Sequence, residues 1–197
     1  MLDCLLIKDD CGRNLMIDTF LANAAPDDLR AIVRATLATC PHSTTATLTH
    51  AARVHFEHRK APSVSEGLFT VQDNGLSVPA AGLQKVLSRA RVLYGVGSAF
   101  SSLSVLEGVI RATAGLKWEE EGQMADALAM VDADITQAIQ SCKEELGSGR
   151  VKDLSGARKA VASIGEAINA VRADCARWDE DAFPFDRAEA SVQYWKF

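Results

Sequence analysis

The sequence predicts an all-α protein, a bundle of five to six helices with one minor β-hairpin. Between residues 120 and 178, apolar residues recur at alternating steps of four and three, as in helices that bury one side. Proline, aspartate and glycine lie where the helices should begin and end. Strand-like patterns are confined to two short stretches, 4–20 and 68–78. The minor β-hairpin is therefore expected in one of these two places.

Length and composition are those of a globular protein with a sizeable core. The chain has 197 residues, of which 48% are hydrophobic and 24% charged. We predict a single helical domain over residues 1–197, with an N-terminal helical hairpin region (1–60), a connector (61–78) and a main bundle (79–197). The formal net charge of −5 argues against nucleic acid as a partner.

The five cysteines are expected to be reduced thiols. Their number is odd, no CxxC pair is present, and Cys142 and Cys175 lie on predicted core faces. The N-terminal apolar run is too short for a signal peptide. We therefore expect an intracellular protein, either cytoplasmic or nuclear.

The N-terminal third reads as a helical hairpin after an ambiguous start. Residues 4–20 are compatible with short strands or with a helical turn. Pro26 suits the first turn of a helix that Cys40-Pro41 ends, and a second helix should run to about Arg59. In the following stretch, Asn74-Gly75 between apolar runs predicts a β-hairpin, although an ordered connector with one turn fits equally well.

One long helix is predicted from Pro79 to about Gly115. Its middle, 92–110, is almost uncharged, as in a central core helix or a membrane span. Glu107 and several serines favour the core helix, so a membrane is not expected as a partner. Small residues on one face should let a neighbouring helix approach closely. They are Gly97, Ser101, Ser104 and Gly108.

The main feature of the chain is a long antiparallel helical hairpin at about 120–178, with coiled-coil spacing. Gly147 to Asp153 supplies glycines to end one arm and an aspartate to cap the next. The short loop predicts that the arms fold back on each other through their apolar seams. The seam residues of the first arm are Met124, Leu128, Val131, Ile135, Ala138 and Cys142. Those of the second are Leu154, Ala157, Val161, Ile164, Ile168, Val171, Cys175 and Trp178.

A short final helix should follow the hairpin. Asp186 and Glu189 have the spacing of a capping box. Ala188, Val192 and Trp195 fall on one face, which we expect to dock on the bundle because so short a helix is marginal alone.

No pattern in the sequence predicts chemistry. All four histidines lie between 42 and 58, but without HxxxH or HExxH spacing, and only His55 and His58 are candidates to share a metal. We predict no metal, no cofactor and no enzymatic activity. Gly95-Val-Gly97-Ser98 is similar to a nucleotide-binding loop but is predicted to lie inside a helix. Asp132 and Asp134 are expected on a solvated outer face of the hairpin.

Two stretches resemble known helical proteins. Asp28-Leu-Arg-Ala-Ile-Val-Arg-Ala-Thr-Leu, followed by Cys40-Pro41, resembles the first helix of fungal factors that tether proteasomes in the nucleus, which are helical bundle adaptors. Their lysine-rich N-terminal segment is absent here. Trp118-Glu-Glu, Met124-Ala-Asp and Asp132-Ala-Asp-Ile resemble a type of small helical protein of filamentous fungi. Neither resemblance implies a catalytic or binding residue.

These observations predict a non-enzymatic helical adaptor or structural subunit, whose partner is another protein or a second copy. The alternative is a bundle that binds an apolar small ligand or lipid beside the helix at 92–110. Half of the aromatic residues lie in the last twenty positions, and such residues are enriched in interfaces. Tyr194, Trp195 and Phe197 are therefore the candidate interaction residues.

Overall fold

The computed structural model describes residues 15–59, 67–179 and 182–196. This part of the chain holds eight α-helices and one two-stranded sheet, which confirms the predicted all-α class with a minor β-hairpin. The elements are α1 Leu15–Asn23, α2 Pro26–Thr39, α3 His42–Glu57, β1 Phe69–Val71, β2 Ser77–Pro79, α4 Ala81–Gly95, α5 Ala99–Arg111, α6 Gln123–Gly147, α7 Leu154–Cys175 and α8 Asp186–Gln193.

The chain divides into two compact units, Met1–Leu48 and Thr49–Phe197. In the described part of the first unit, α1 and α2 follow each other and α2 contains no buried residue. The second unit holds the core. The predicted single domain over 1–197, with its parts 1–60, 61–78 and 79–197, stays a prediction.

The helix count differs from the predicted five to six for two reasons. At the N-terminus, Leu15–Asn23 is a helix, so the strand interpretation of 4–20 is wrong from residue 15 onward. The segment from Leu15 to Leu21 is mostly apolar without strict alternation, a pattern that suits a helix better than a strand. The remainder of that stretch lies outside the described residues.

The second reason is that the predicted helix from Pro79 to Gly115 is wrong, because two helices occupy this range. Helix α4 ends at Gly95 and α5 begins at Ala99. Gly97 has φ +81°, a left-handed conformation that glycine adopts without steric cost. Ser98 N–H donates to Leu93 O (2.9 Å) and Gly97 N–H to Tyr94 O (3.2 Å), the bond pair of a Schellman motif. The chain therefore folds back, and α5 packs along α4.

The β-hairpin forms at 68–78 as predicted. β1 pairs antiparallel with β2, with Thr70 opposite Val78. Gly75 has φ +81° in the turn, and Asn74 Oδ1 accepts a hydrogen bond from Leu76 N–H at 2.9 Å. Gly75 N–H donates to Gln72 O at 2.9 Å, and Asn74 does not have a positive φ, so the hairpin closes through a turn that ends in a left-handed glycine and not through the Asn-Gly turn in which both residues are left-handed.

Helix α5 lies at the centre of the core, as predicted for the uncharged segment 92–110. It packs against α4, α6 and α7. The arms of the predicted hairpin are α6 and α7, joined by a short loop in which Gly149 has φ +69° and Asp153 Oδ1 caps Gly156 N–H at 2.9 Å. The predicted direct contact between the two seams is wrong. Both arms make most of their contacts with other helices, chiefly α5, which supplies apolar side chains for each seam.

Helix α8 docks on α6 and α7 through its predicted face. Ala188 is fully buried, and Val192 and Trp195 pack against the core. The predicted capping box is wrong, because the N-cap of α8 is Phe185 and no side chain caps the helix. Asp186 and Glu189 bind the guanidinium group of Arg172 in α7, and Glu189 does so through both of its carboxylate oxygens.

Candidate functional site

Asp132 and Asp134 are the first candidates for chemistry, and the prediction of a solvated face for them is wrong. Their relative exposures are 4% and 6%. Asp132 Oδ2 accepts from Arg187 Nε at 2.7 Å, and its Oδ1 accepts from the backbone N–H of Ala188 at 2.8 Å. This carboxylate fixes the start of α8 on α6, so its role is structural.

Asp134 joins α6 to α4. Arg91 Nε donates to both of its carboxylate oxygens at 2.9 and 3.0 Å, and the Tyr94 hydroxyl donates to Oδ1 at 3.2 Å. Burial, together with the negative charge of Asp134, raises the pKa of Tyr94. Three hydrogen bonds from Arg91 and Tyr94 hold this carboxylate, so Asp134, like Asp132, positions its neighbours and is not available as a general base.

His55 lies in the last turn of α3 and His58 directly follows the helix, and the structure does not bring them together with other ligands. The His58 Nδ1 lies 2.7 Å from Val54 O, and the His55 ring contacts the edge of Phe56. Across the described residues, no group of three or more His, Cys, Asp or Glu side chains is placed to hold a metal ion. The prediction of no metal stays a prediction.

Two cysteines lie on the core faces, as predicted. Cys142 and Cys175 are buried free thiols, and Cys40 is half-buried and also free. Burial raises the pKa of both core thiols, and at Cys142 the charge of Glu145 adds to the effect. Thiols protected in this way are poor nucleophiles. Cys4 and Cys11 lie outside the described residues.

The three C-terminal interaction candidates have different surroundings. Trp195 packs on Phe100 of α5, with ring centroids 6.2 Å apart, and the Lys143 ammonium lies 5.6 Å from its ring centre. Tyr194 is 82% exposed, the largest exposed fraction of any large apolar side chain described. Phe197 lies outside the described residues. Tyr194 therefore points into solvent, whereas Trp195 helps to hold the end of α8 on its own bundle.

The apolar side chains of α1 and α2 are exposed, which the sequence pattern alone does not reveal. No residue from Ile17 to Phe56 is buried, although α2 is amphipathic. Several large apolar side chains in this range are more than two-fifths exposed. They are Ile17, Phe20, Leu21, Ile32, Val33, Leu48 and Val54. We refer to the exposed side chains of Phe20, Leu21, Ile32 and Val33 as the N-terminal apolar surface.

Cavities of ligand size lie at two places in the second unit. One, of about 370 Å³, lies between the start of α4 and the start of α6, beside Leu83 and Met130. The other, of about 480 Å³, lies at the α4–α5 turn and is lined by Arg53, Arg150 and Lys152. The second adjoins the segment 92–110, but five of its twelve lining residues are charged. An apolar ligand at that segment stays a prediction.

The predicted position of Gly95–Ser98 inside one helix is wrong. Gly95 is the last residue of α4, residues 96–98 form the turn, and α5 begins directly after them. A phosphate-binding loop of the P-loop type follows a strand, whereas this turn follows a helix. The lack of a preceding strand therefore still argues against that motif.

Comparison of this chain with protein-family models, with curated proteins and with solved structures finds no match. In the part of the chain that the structure describes, no helix has both the length and the apolar character that crossing a bilayer requires. Function has to be argued from the geometry of the chain itself.

Proposed function

We propose that this chain is a non-enzymatic helical adaptor or structural subunit, and that it acts through contacts with another protein or with a second copy of itself. The observation that carries the proposal is the N-terminal apolar surface. An amphipathic helix normally buries its apolar face, yet α2 buries none of its residues. Exposed apolar side chains grouped on one face of a helix are typical of interaction sites.

The rest of the described structure supports a binding role over a catalytic one. Asp132 and Asp134 are occupied within the bundle, and Cys142 and Cys175 are shielded thiols. Tyr194 supplies an exposed aromatic side chain at a second position. We include Tyr194, Trp195 and Phe197 in the proposal as interaction residues, with Trp195 contributing through its position beside Tyr194. The free thiols are consistent with an intracellular place of action.

The test changes only the apolar face of α2. Ile32→Asp combined with Val33→Asp places two carboxylates on the N-terminal apolar surface, where both side chains are exposed. Ala31→Asp combined with Ala35→Asp is the matched control, because it adds the same charges to the opposite face of the same helix. Parent and both variants are used for affinity capture from the native cell with quantitative mass spectrometry, and their masses in solution are measured.

We expect the apolar-face variant to lose at least about tenfold in capture of a defined protein, or to lose a dimer, since buried charge without a partner is costly. The control variant should keep the capture of that protein and the mass in solution of the parent. Equal capture and equal mass for all three chains would show that this surface has no partner, and the adaptor proposal would then be wrong. Circular dichroism of each variant confirms that α2 is still folded.

A further inference from the structure

The cavity of about 480 Å³ at the α4–α5 turn brings together three distant segments of the second unit. Arg53 comes from α3, Gly97 and Ser98 from the turn, and Arg150 and Lys152 from the α6–α7 loop. Its volume is within the range of sites for small molecules. Arg150 and Lys152 are exposed, so the cavity is accessible from solvent.

The arrangement of the two arginines is specific. Arg53 Nε donates to Val96 O at 3.2 Å, which holds its guanidinium group over the turn. A Cβ atom added at Gly97 would lie 2.9 Å from Arg53 Nη2 and 3.5 Å from Arg150 Nη1. Both guanidinium groups therefore approach the same point above the turn. Only glycine leaves this space open.

The carboxylates that line this cavity are already engaged with the backbone. Glu145 Oε1 accepts from Ala99 N–H at 2.6 Å, and Asp153 Oδ1 accepts from Gly156 N–H at 2.9 Å. Within the described residues, Arg53, Arg150 and Lys152 form no ion pair. The three basic side chains therefore exceed the two carboxylates of the lining by one formal charge, and a bound anion would relieve the repulsion among them.

We propose that this cavity binds a phosphate-bearing small molecule, a function separate from the proposed adaptor role. Guanidinium groups bind phosphate oxygens in a bidentate manner, and a third cation matches the second charge of a phosphate dianion. The N-terminal ends of α5 and α7 lie in the lining and add positive potential, although a carboxylate caps each of them. The basic side chains, not the helix ends, supply the recognition.

The experiment is a nuclear magnetic resonance titration of the full chain with pyrophosphate at constant ionic strength. The binding isotherm is read from the backbone amides of Gly97, Ser98 and Arg150. We expect saturable shifts at these amides, and weakening by at least about tenfold in Arg53→Gln and in Arg150→Gln. Lys159→Gln removes the same charge from the exposed surface of α7 outside the cavity, and should change affinity by less than about twofold.

Parallel titrations use inorganic phosphate, a nucleoside diphosphate and acetate. Stronger binding of pyrophosphate or the nucleotide than of acetate supports recognition of the phosphoryl group. The proposal is overturned if no saturation occurs up to about 10 mM pyrophosphate, which is weaker than any specific site of this kind. It is also overturned if acetate binds equally well, or if Arg53→Gln and Arg150→Gln behave like Lys159→Gln. Amide spectra of the variants without ligand show whether the cavity is still folded.

Discussion

At the scale of single residues, the hairpin spacing correctly predicts the buried seam of the first arm but not what the flanking polar residues do, and in the second arm the predicted seam residue Leu154 is 45% exposed. All six predicted seam residues of the first arm are buried. Asp132 and Asp134 are also buried, because α6 faces α8 and α4 as well as α5. A heptad pattern describes one seam, and it does not tell which additional helices contact the neighbouring positions. Their partners come from α4 and α8, far away in sequence.

The first prediction concerns Asp132. Asp132→Ala leaves the buried N–H of Ala188 without an acceptor, and we expect the free energy of unfolding to fall by about 1–3 kcal/mol. Asp126→Ala, on the exposed side of the same helix, should change it by less than about 0.5 kcal/mol. Urea unfolding followed by circular dichroism compares the two variants. Equal urea midpoints for Asp132→Ala and Asp126→Ala would contradict the structural role of Asp132.

The second prediction concerns the thiols. In the native protein at pH 8, iodoacetamide should alkylate half-buried Cys40 at least about tenfold faster than Cys142, whose pKa is raised by burial. Peptide mass spectrometry gives the rates, and labelling in guanidinium chloride is the control in which the difference disappears.

Because folding raises the pKa of the Cys142 thiol, the unfolded chain loses the proton first. Stability should therefore fall as the pH rises above the ordinary value of 9.0.

At the scale of elements, most helices were predictable and one long helix was not. Proline, aspartate and glycine signals mark the ends of α2 and the α6–α7 loop correctly. The break at Gly97 was missed because its neighbours are apolar and glycine is tolerated inside helices. Tertiary packing favours the break, because α5 buries seven of its thirteen residues when it folds back between α4, α6 and α7. The anion cavity could not be predicted, because its arginines meet only after this break forms.

The third prediction compares two glycines only two residues apart. Gly97→Ala should destabilise the protein by about 1–2 kcal/mol, because its φ is +81° and a Cβ there crowds Arg53. Gly95→Ala should stabilise it by about 0.5–1 kcal/mol, since Gly95 is helical and its added Cβ meets open space. Thermal melting measures whether each substitution lowers or raises the stability. A stabilising Gly97→Ala would place the helix break elsewhere.

The fourth prediction separates the two aromatic residues after α8. Trp195→Ala should cost about 1–3 kcal/mol of stability, because the indole packs on Phe100 and beneath Lys143. Tyr194→Ala should leave stability within about 0.5 kcal/mol, because the side chain is 82% exposed. If Tyr194 belongs to an interface, its variant instead lowers the solution mass or partner capture. No effect on stability, mass or capture would remove Tyr194 from the proposed interface.

At the scale of the whole chain, burial is unevenly distributed along the sequence. Every buried residue that the structure describes lies between Leu68 and Ala188. Helices α2 and α3 show the same helical periodicity as α4 to α8, so the sequence predicts where a helix forms but not whether another element covers it. The fold class was therefore predictable, whereas the N-terminal apolar surface was not.

The fifth prediction follows from that distribution. Helices with little tertiary burial open easily, so the amides of α2 should exchange with solvent at least about 100-fold faster than those of α6. Hydrogen exchange with mass spectrometry measures both in one sample. Addition of a partner that binds the N-terminal apolar surface should slow the amide exchange of α2 and leave the exchange of α6 unchanged. Equal protection in the isolated chain would contradict the exposed state of α2.

The pairing of Asp132 with the start of α8 has a consequence during synthesis on the ribosome. Its partners, Arg187 and Ala188, are made 55 and 56 residues later. At elongation rates of about 5–20 residues per second, α6 spends roughly 3–11 s without them. During this interval the Asp132 carboxylate has neither of these two donors, and its burial against another apolar surface would be costly. The face of α6 that packs on α8 can therefore be covered only after the last helix has been translated.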